Sequence, residues 1–156
     1  MIPINNYRQF VVELINYACQ TLEIEDTPTI RLAVTESQLI NLLKDQDGIV
    51  VAGNIPGSDI SHSSGWFQSD GECLLMVLEK MPEDEQGLET EFDRYATLQS
   101  LMIEIVKLLI NIDGFDRFCD KGTVDYSRPL TIEWEYNTYG GFNGLSVTFR
   151  LKDKDV

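Results

Sequence analysis

The chain of 156 residues carries 26 acidic against 12 basic side chains, a formal net charge of −14, with 43% hydrophobic and 24% charged residues. Nucleic-acid affinity comes mainly from Lys and Arg neutralising phosphates, so this balance, with no basic cluster to offset it, excludes direct DNA or RNA binding. The apolar content is that of a globular protein with a real core, and no window reaches the ~20 apolar residues of a membrane-spanning helix.

Asn5 to Leu22 reads as an amphipathic helix, because Tyr7, Phe10, Val11, Leu14, Ile15 and Ala18 recur at the three-and-four spacing of one buried face. "TPTIRLAV" then supplies a short strand through Ile30, Leu32 and Val34. In "TESQ", Thr35 is placed as an N-cap with Gln38 at the capping-box position. The helix that follows runs to the stop signal Asp47-Gly48, and "IVVAG", Ile49 to Gly53, is a strand.

Gly53 to Gly71 is rich in Gly, Ser and Asp and reads as a long loop, the kind that in compact domains is often functional. Trp66 and Phe67 within it are either a small satellite core or a binding anchor. His62, the one histidine of the chain, sits among Asp59, Ser61, Ser63 and Ser64. A hydrolytic triad needs fixed geometry from separate rigid elements, so His62 is read as a solvent-exposed loop residue. Cys73 to Leu78 is nearly continuous in apolar residues and predicts a central strand covered on both faces. After Pro82 an acidic run leads into the longest helix, Leu88 to Ile112, whose acids suit the N-terminal end of the helix dipole and whose second half is apolar almost all round. Asp113-Gly114 ends it.

Two strands close the chain. Leu130, Ile132, Trp134 and Tyr136 alternate to one side, as do Leu145, Val147, Phe149 and Leu151. A two-residue turn at Gly140-Gly141 pairs Tyr136 with Leu145, Trp134 with Val147 and Ile132 with Phe149, setting apolar against apolar. A turn at Asn143-Gly144 instead sets Trp134 against Asp153. Register follows the buried face, so the Gly140-Gly141 turn is expected, with Asn143-Gly144 hosting a bulge or a close approach. The spacing G-G-x-x-G between strands lacks the helix N-terminus of a phosphate cradle.

The element order α-β-α-β-β-α-β-β predicts one α+β domain over 1–156, a mainly antiparallel sheet with packed helices. Cys19, Cys73 and Cys119 are odd in number and far apart, and read as reduced, buried thiols. No catalytic, cofactor-binding or metal-binding constellation is expected. The start, "MIPINNYRQF", lacks the basic and apolar stretches of a secretory signal, which points to a cytoplasmic protein with no membrane role. The residues expected to make protein contacts are Trp66 and Phe67 of the long loop and Tyr139 and Phe142 of the hairpin tip, since exposed aromatics favour interfaces.

Three function classes follow: an assembly protein, an acidic inhibitor or adaptor for a basic partner, and an enzyme. The helix "YRQFVVELINYA", the strand "CLLMVLEKM" with its acidic lead into "EFDRYATLQSLMIEIVKLLINI", and the closing "GLSVTFRL" resemble the small α+β proteins of tailed-phage and prophage necks, the tail-terminator and head-tail completion type. The resemblance covers most of the chain as an order of elements. It implies no catalysis, protein partners that include copies of the chain in a ring, and a place in the virion as well as the cytoplasm. A negative surface suits a passage that DNA must cross without sticking.

Overall fold

The structure is a computed structural model that describes residues 2–57, 59–63, 66–80, 88–110 and 122–153. Helix α1 spans Ile4–Thr21 and buries Tyr7, Phe10, Val11, Leu14, Ile15, Ala18 and Cys19, the face that the spacing predicts. No glycine ends it. Glu23 takes a left-handed conformation (φ 54°), and the Ile24 amide donates to the Cys19 carbonyl at 2.9 Å, a Schellman-type closure on a residue that gives no sequence signal.

Strand β1, Thr29–Ala33, leads into α2, Glu36–Leu43. The cap is as expected: Thr35 Oγ1 accepts from the Gln38 amide at 3.2 Å. In return Gln38 Oε1 accepts from the amide of Val34 at 2.9 Å, one residue further back than in a standard box. The helix stops short of Asp47-Gly48. Leu39 and Leu43 are its buried anchors, and the polar run Lys44 to Asp47 has nothing to bury. Strand β2, Ile49–Asn54, pairs parallel with β1, with α2 as the crossover that parallel strands require.

The Gly53 to Gly71 segment is not the long loop that its composition suggests. It contains β3, Asp59–Ser63, which pairs antiparallel with the start of β4, Trp66–Lys80. Ser63 opposes Trp66, and the two residues between them lie outside the described ones. A Ser-Gly dipeptide between two short runs was the available hairpin signal; the Gly and Ser content of the whole stretch masked it. The central strand is therefore longer than Cys73 to Leu78, but that part is covered on both faces as expected. Cys73, Leu75 and Val77 join one buried cluster, Met76 and Leu78 the other.

Helix α3 spans Leu88–Ile110, and β5, Gly122–Val124, β6, Thr131–Thr138, and β7, Phe142–Asp153, complete the chain. The eight predicted elements occur in the predicted order, with β3 and β5 as additional short strands. The fold is α+β with a mixed seven-stranded sheet in the order β1-β2-β4-β7; β3 lies beside β2 on β4, and β5 and β6 share the outer side of β7. All pairings except β1–β2 are antiparallel. Helices α1 and α3 pack on one face through Leu75, Val77, Leu145, Val147 and Phe149; α2 packs on the other through Val50, Ala52, Met76 and Phe142. Among the described residues no helix is long and apolar enough to cross a membrane. Cys19 and Cys73 are buried and not joined to each other in a disulfide, and Cys119 lies outside the described residues.

Where β2 stops pairing with β4, at Gly53 opposite Leu75, Asn54 continues the ladder with its side chain. Its Nδ2 donates to the Glu72 carbonyl at 2.9 Å and its Oδ1 accepts from the Leu74 amide at 2.7 Å. Replacing Asn54 by Ala leaves both backbone groups without these partners and is expected to cost about 1–3 kcal/mol. The check is hydrogen exchange: the Leu74 amide should lose protection well beyond the global loss of stability.

The closing hairpin has a longer connection and a less regular ladder than the alternation predicts. Thr138 opposes Phe142 across Tyr139-Gly140-Gly141, with the Gly141 amide donating to the Thr138 carbonyl at 3.2 Å. Further on, Glu135 opposes Gly144, Trp134 opposes Leu145 and Ile132 opposes Val147. The register is thus shifted by two residues from the expected Trp134–Val147 pairing. The bulge lies on β6, where Tyr136 and Asn137 face the single residue Asn143, and not at Asn143-Gly144. A shift of two preserves the side on which every residue points, so facing apolar residues fix the side but not the partner.

Candidate functional site

Strand β6 is an edge strand, and its apolar side is open. Ile132 is 45%, Trp134 55% and Tyr136 75% exposed, against the expectation that all three point into the core. The cause is position. The buried stripe of α3, Leu98, Leu101, Met102 and Ile105, packs on the middle of the sheet. Only the first turns of α3 approach β6. There the ring of Tyr95 meets that of Trp134 edge-on, with centroids 5.5 Å apart, and Phe92 meets Tyr95 in the same way at 6.5 Å.

Between these elements runs a groove of about 760 Å³ lined by Phe92, Asp93, Tyr95, Ala96 and Gln99 of α3 and by Trp134, Glu135 and Tyr136 of β6. Residues 92, 95, 96 and 99 follow helical spacing, so one stripe of α3 forms a whole wall. An ion pair of 2.8 Å between Arg94 and Glu79 ties this part of α3 to β4. The opposite wall is set by Asn143, which is buried. Asn143 Oδ1 accepts from the bulge amide of Asn137 at 2.6 Å, and its Nδ2 reaches Tyr95 Oη at 3.5 Å. Asn137 holds a left-handed φ of 51°. The bulge thus turns Tyr136 onto the groove, and one buried amide links bulge and helix.

Tyr95 Oη donates to Glu91 Oε1 at 2.6 Å. Burial first, and then this hydrogen bond to a carboxylate, push the Tyr95 hydroxyl up to about 12. The folded chain therefore holds this proton more tightly than the unfolded chain, whose tyrosines titrate near ~10. The stabilisation is complete below pH ~10 and is lost as pH rises through about 12. Tyrosinate absorbance, compared between the wild type and Tyr95→Phe, should show one late-titrating ring, and Glu91→Gln should bring its midpoint down.

No known family model and no curated protein matches the chain.

The residues that the sequence singles out fall elsewhere. Phe142 is 1% exposed, packed with Leu39, Leu43 and Met76 beneath α2; it is core and not a contact residue of the tip. Tyr139 is half-buried in the turn against the same cluster, and burial, with Glu36 and Glu135 nearby, raises its hydroxyl above the ordinary value. Trp66 and Phe67 begin β4, Phe67 opposite His62 of β3; the side chains of all three lie outside the described residues. Among the described residues no group of three or more His, Cys, Asp or Glu is arranged to hold a metal ion. The signal for the groove was present in "EFDRYATLQ", where Phe92 lies off the buried stripe of Leu98 and Leu101 and Tyr95 sits at its margin, and in the acid–aromatic alternation of "EWEY".

Proposed function

We propose that the chain is a non-enzymatic assembly subunit that works through protein–protein contacts, of the kind found in the necks of tailed phages and prophages. The observation that carries this reading is the cluster of Phe92 near the start of α3 with Trp134 and Tyr136 on the edge strand β6, all largely exposed. Monomeric proteins seldom leave such a contiguous aromatic patch open, and Trp and Tyr are the residues that dominate binding energy where they are buried by a partner. Phe92 is 59% exposed, so the patch belongs to both elements. The charge of −14 repels the DNA that such a neck conducts.

The test is uptake into particles. A tagged chain, expressed where tailed particles that encode it are produced, should co-sediment with them and label at the head–tail junction. Trp134→Ala should be taken up at least about tenfold less, the loss of one hot-spot anchor. Particles that form without the chain, or that take up Trp134→Ala as well as wild type, reject the reading. A second reading, an acidic adaptor for a basic partner, is favoured by Asp93 in the groove lining and by the net charge of −14. It predicts binding that falls steeply with salt and no place in a particle.

A further inference from the structure

The sheet is open along two sides that differ in charge. Among the described residues, β1 pairs with β2 alone and β6 with β7 alone, so each presents unpaired backbone donors and acceptors outward. Beside β1 lies a second cleft, of about 460 Å³, walled by Ile4 and Arg8 of α1, Ile30 and Arg31 of β1, and Leu42 of α2. Among the described residues its charged lining is two arginines and no carboxylate, in a chain with 26 acids and 12 bases. Arg8 is exposed, and Arg31 donates to its neighbour Ile30's carbonyl at 3.0 Å. Among the described residues the groove at β6 has the opposite character: Asp93 borders it with no base, and Glu133 and Glu135 lie along the other face of β6, Glu135 Oε1 accepting from Ser146 Oγ at 2.8 Å.

Direction and facing agree with the charge. β1 and β2 are parallel, and the steps from β2 to β4, β4 to β7 and β7 to β6 are each antiparallel. β6 therefore runs opposite to β1. A second copy set beside the first in the same orientation lays its β1 antiparallel to β6, with the faces of both sheets on the same sides. On the α1–α3 side this brings Ile30 and Leu32 beside Ile132 and Trp134. On the α2 side it brings Arg31, whose partner is Ala52, beside Glu133 and Glu135, whose partners are Ser146 and Gly144. Arg8 of α1 then approaches the side on which Asp93 borders the groove. Two β6 edges brought together would instead set Glu133 and Glu135 against the same pair, a like-charge contact that disfavours symmetric pairing.

We propose that the β1 edge of one copy docks on the β6 edge and groove of the next, continuing the sheet from copy to copy with Arg31 facing Glu133 and Glu135 and Arg8 facing Asp93. The contact rests on the reading of the chain as an assembly subunit and names its partner, a second copy of the chain. It uses a different surface on each side, so it builds a ring or a filament and not a closed dimer.

Light scattering of the purified full chain over a range of concentrations tests it. The wild type should self-associate, and less so as salt rises. Arg31→Glu and Trp134→Ala should each weaken association about tenfold or more while keeping near-wild-type unfolding midpoints. Mixed in equal amounts, these two variants should give a dimer and nothing larger, because one retains its groove and the other its β1 edge. Should Arg31→Glu not fold, Arg8→Glu, at an exposed position of α1, carries the same test. The head-to-tail contact is overturned by an arginine variant that associates like wild type, by a mixture that grows beyond the dimer, or by a wild type that stays monomeric at every concentration. In the last case uptake of the wild type and of Trp134→Ala into tailed particles still decides the assembly reading separately.

Discussion

Gly144→Ala is expected to remove about 3 kcal/mol or more of stability, and Gly144→Val to prevent folding. Gly144 lies in β7 between Leu78 of β4 and Glu135 of β6. A Cβ placed there would overlap the Val77 carbonyl oxygen and come within 3.0 Å of the Val77 carbonyl carbon and 3.1 Å of Leu78 Cα. These neighbours are backbone, so no rotamer change relieves the clash. Relief requires β4 and β7 to separate, and these strands are paired continuously from Asp70–Lys152 to Lys80–Phe142. Overpacking usually costs about 1–3 kcal/mol, and a rigid neighbour puts this case at or above the top of that range. With total stabilities of about 5–15 kcal/mol for domains, that is a large share. The internal comparison is Gly141→Ala. Gly141 has φ 107° but nothing within 4 Å of a Cβ, so only conformational strain is added, about 1 kcal/mol. Denaturant midpoints of the two variants measure the difference. Equal shifts would show that the strands do not approach so closely at Gly144.

The Asn143-Gly144 dipeptide also shows what the sequence carried. A close approach at this site was readable, since glycine inside a strand often marks one, and it is there. Of the two alternatives it is the close approach that holds there, and the bulge lies on β6, because the residue that settles it, Asn143, acts through a side-chain bond to the Asn137 amide that no pattern encodes. Helix α1 and the centre of β4 were legible because each buries a face at the period of its own backbone. Strand β3 was not, because its pairing is supplied by the extension of β4 and not by apolar residues of its own. Similarly, alternation in β6 shows correctly that Ile132 and Trp134 share the side of Leu145 and Val147. It says nothing of whether a helix reaches far enough to cover that side, and α3 does not. The aromatic residues of the candidate site were legible, but their exposure was not: exposure at a sheet edge is a property of layer width, not of the strand's own residues.

Phe142 and Trp134 were thereby exchanged in role, and their alanine variants should separate stability from assembly. Phe142→Ala is expected to cost about 3–5 kcal/mol, the usual range for a buried phenylalanine. The ring closes the cluster of Leu39, Leu43, Val50, Met76 and Leu78, so its loss leaves a void between α2 and the sheet that rigid strands cannot collapse into. Trp134→Ala removes a ring that is already more than half in water. Its fixed partner in the monomer is the edge-on contact with Tyr95, and such pairs contribute about 0.5–1.5 kcal/mol. The stability loss at Trp134 should therefore be about half or less of that at Phe142. Uptake into particles and self-association should follow the opposite order once each variant is measured below its own unfolding transition: Trp134→Ala folded and defective, folded Phe142→Ala competent. The opposite pattern, Phe142→Ala as stable as wild type yet unable to assemble, would return the contact to the hairpin tip and show that α2 does not cover that ring.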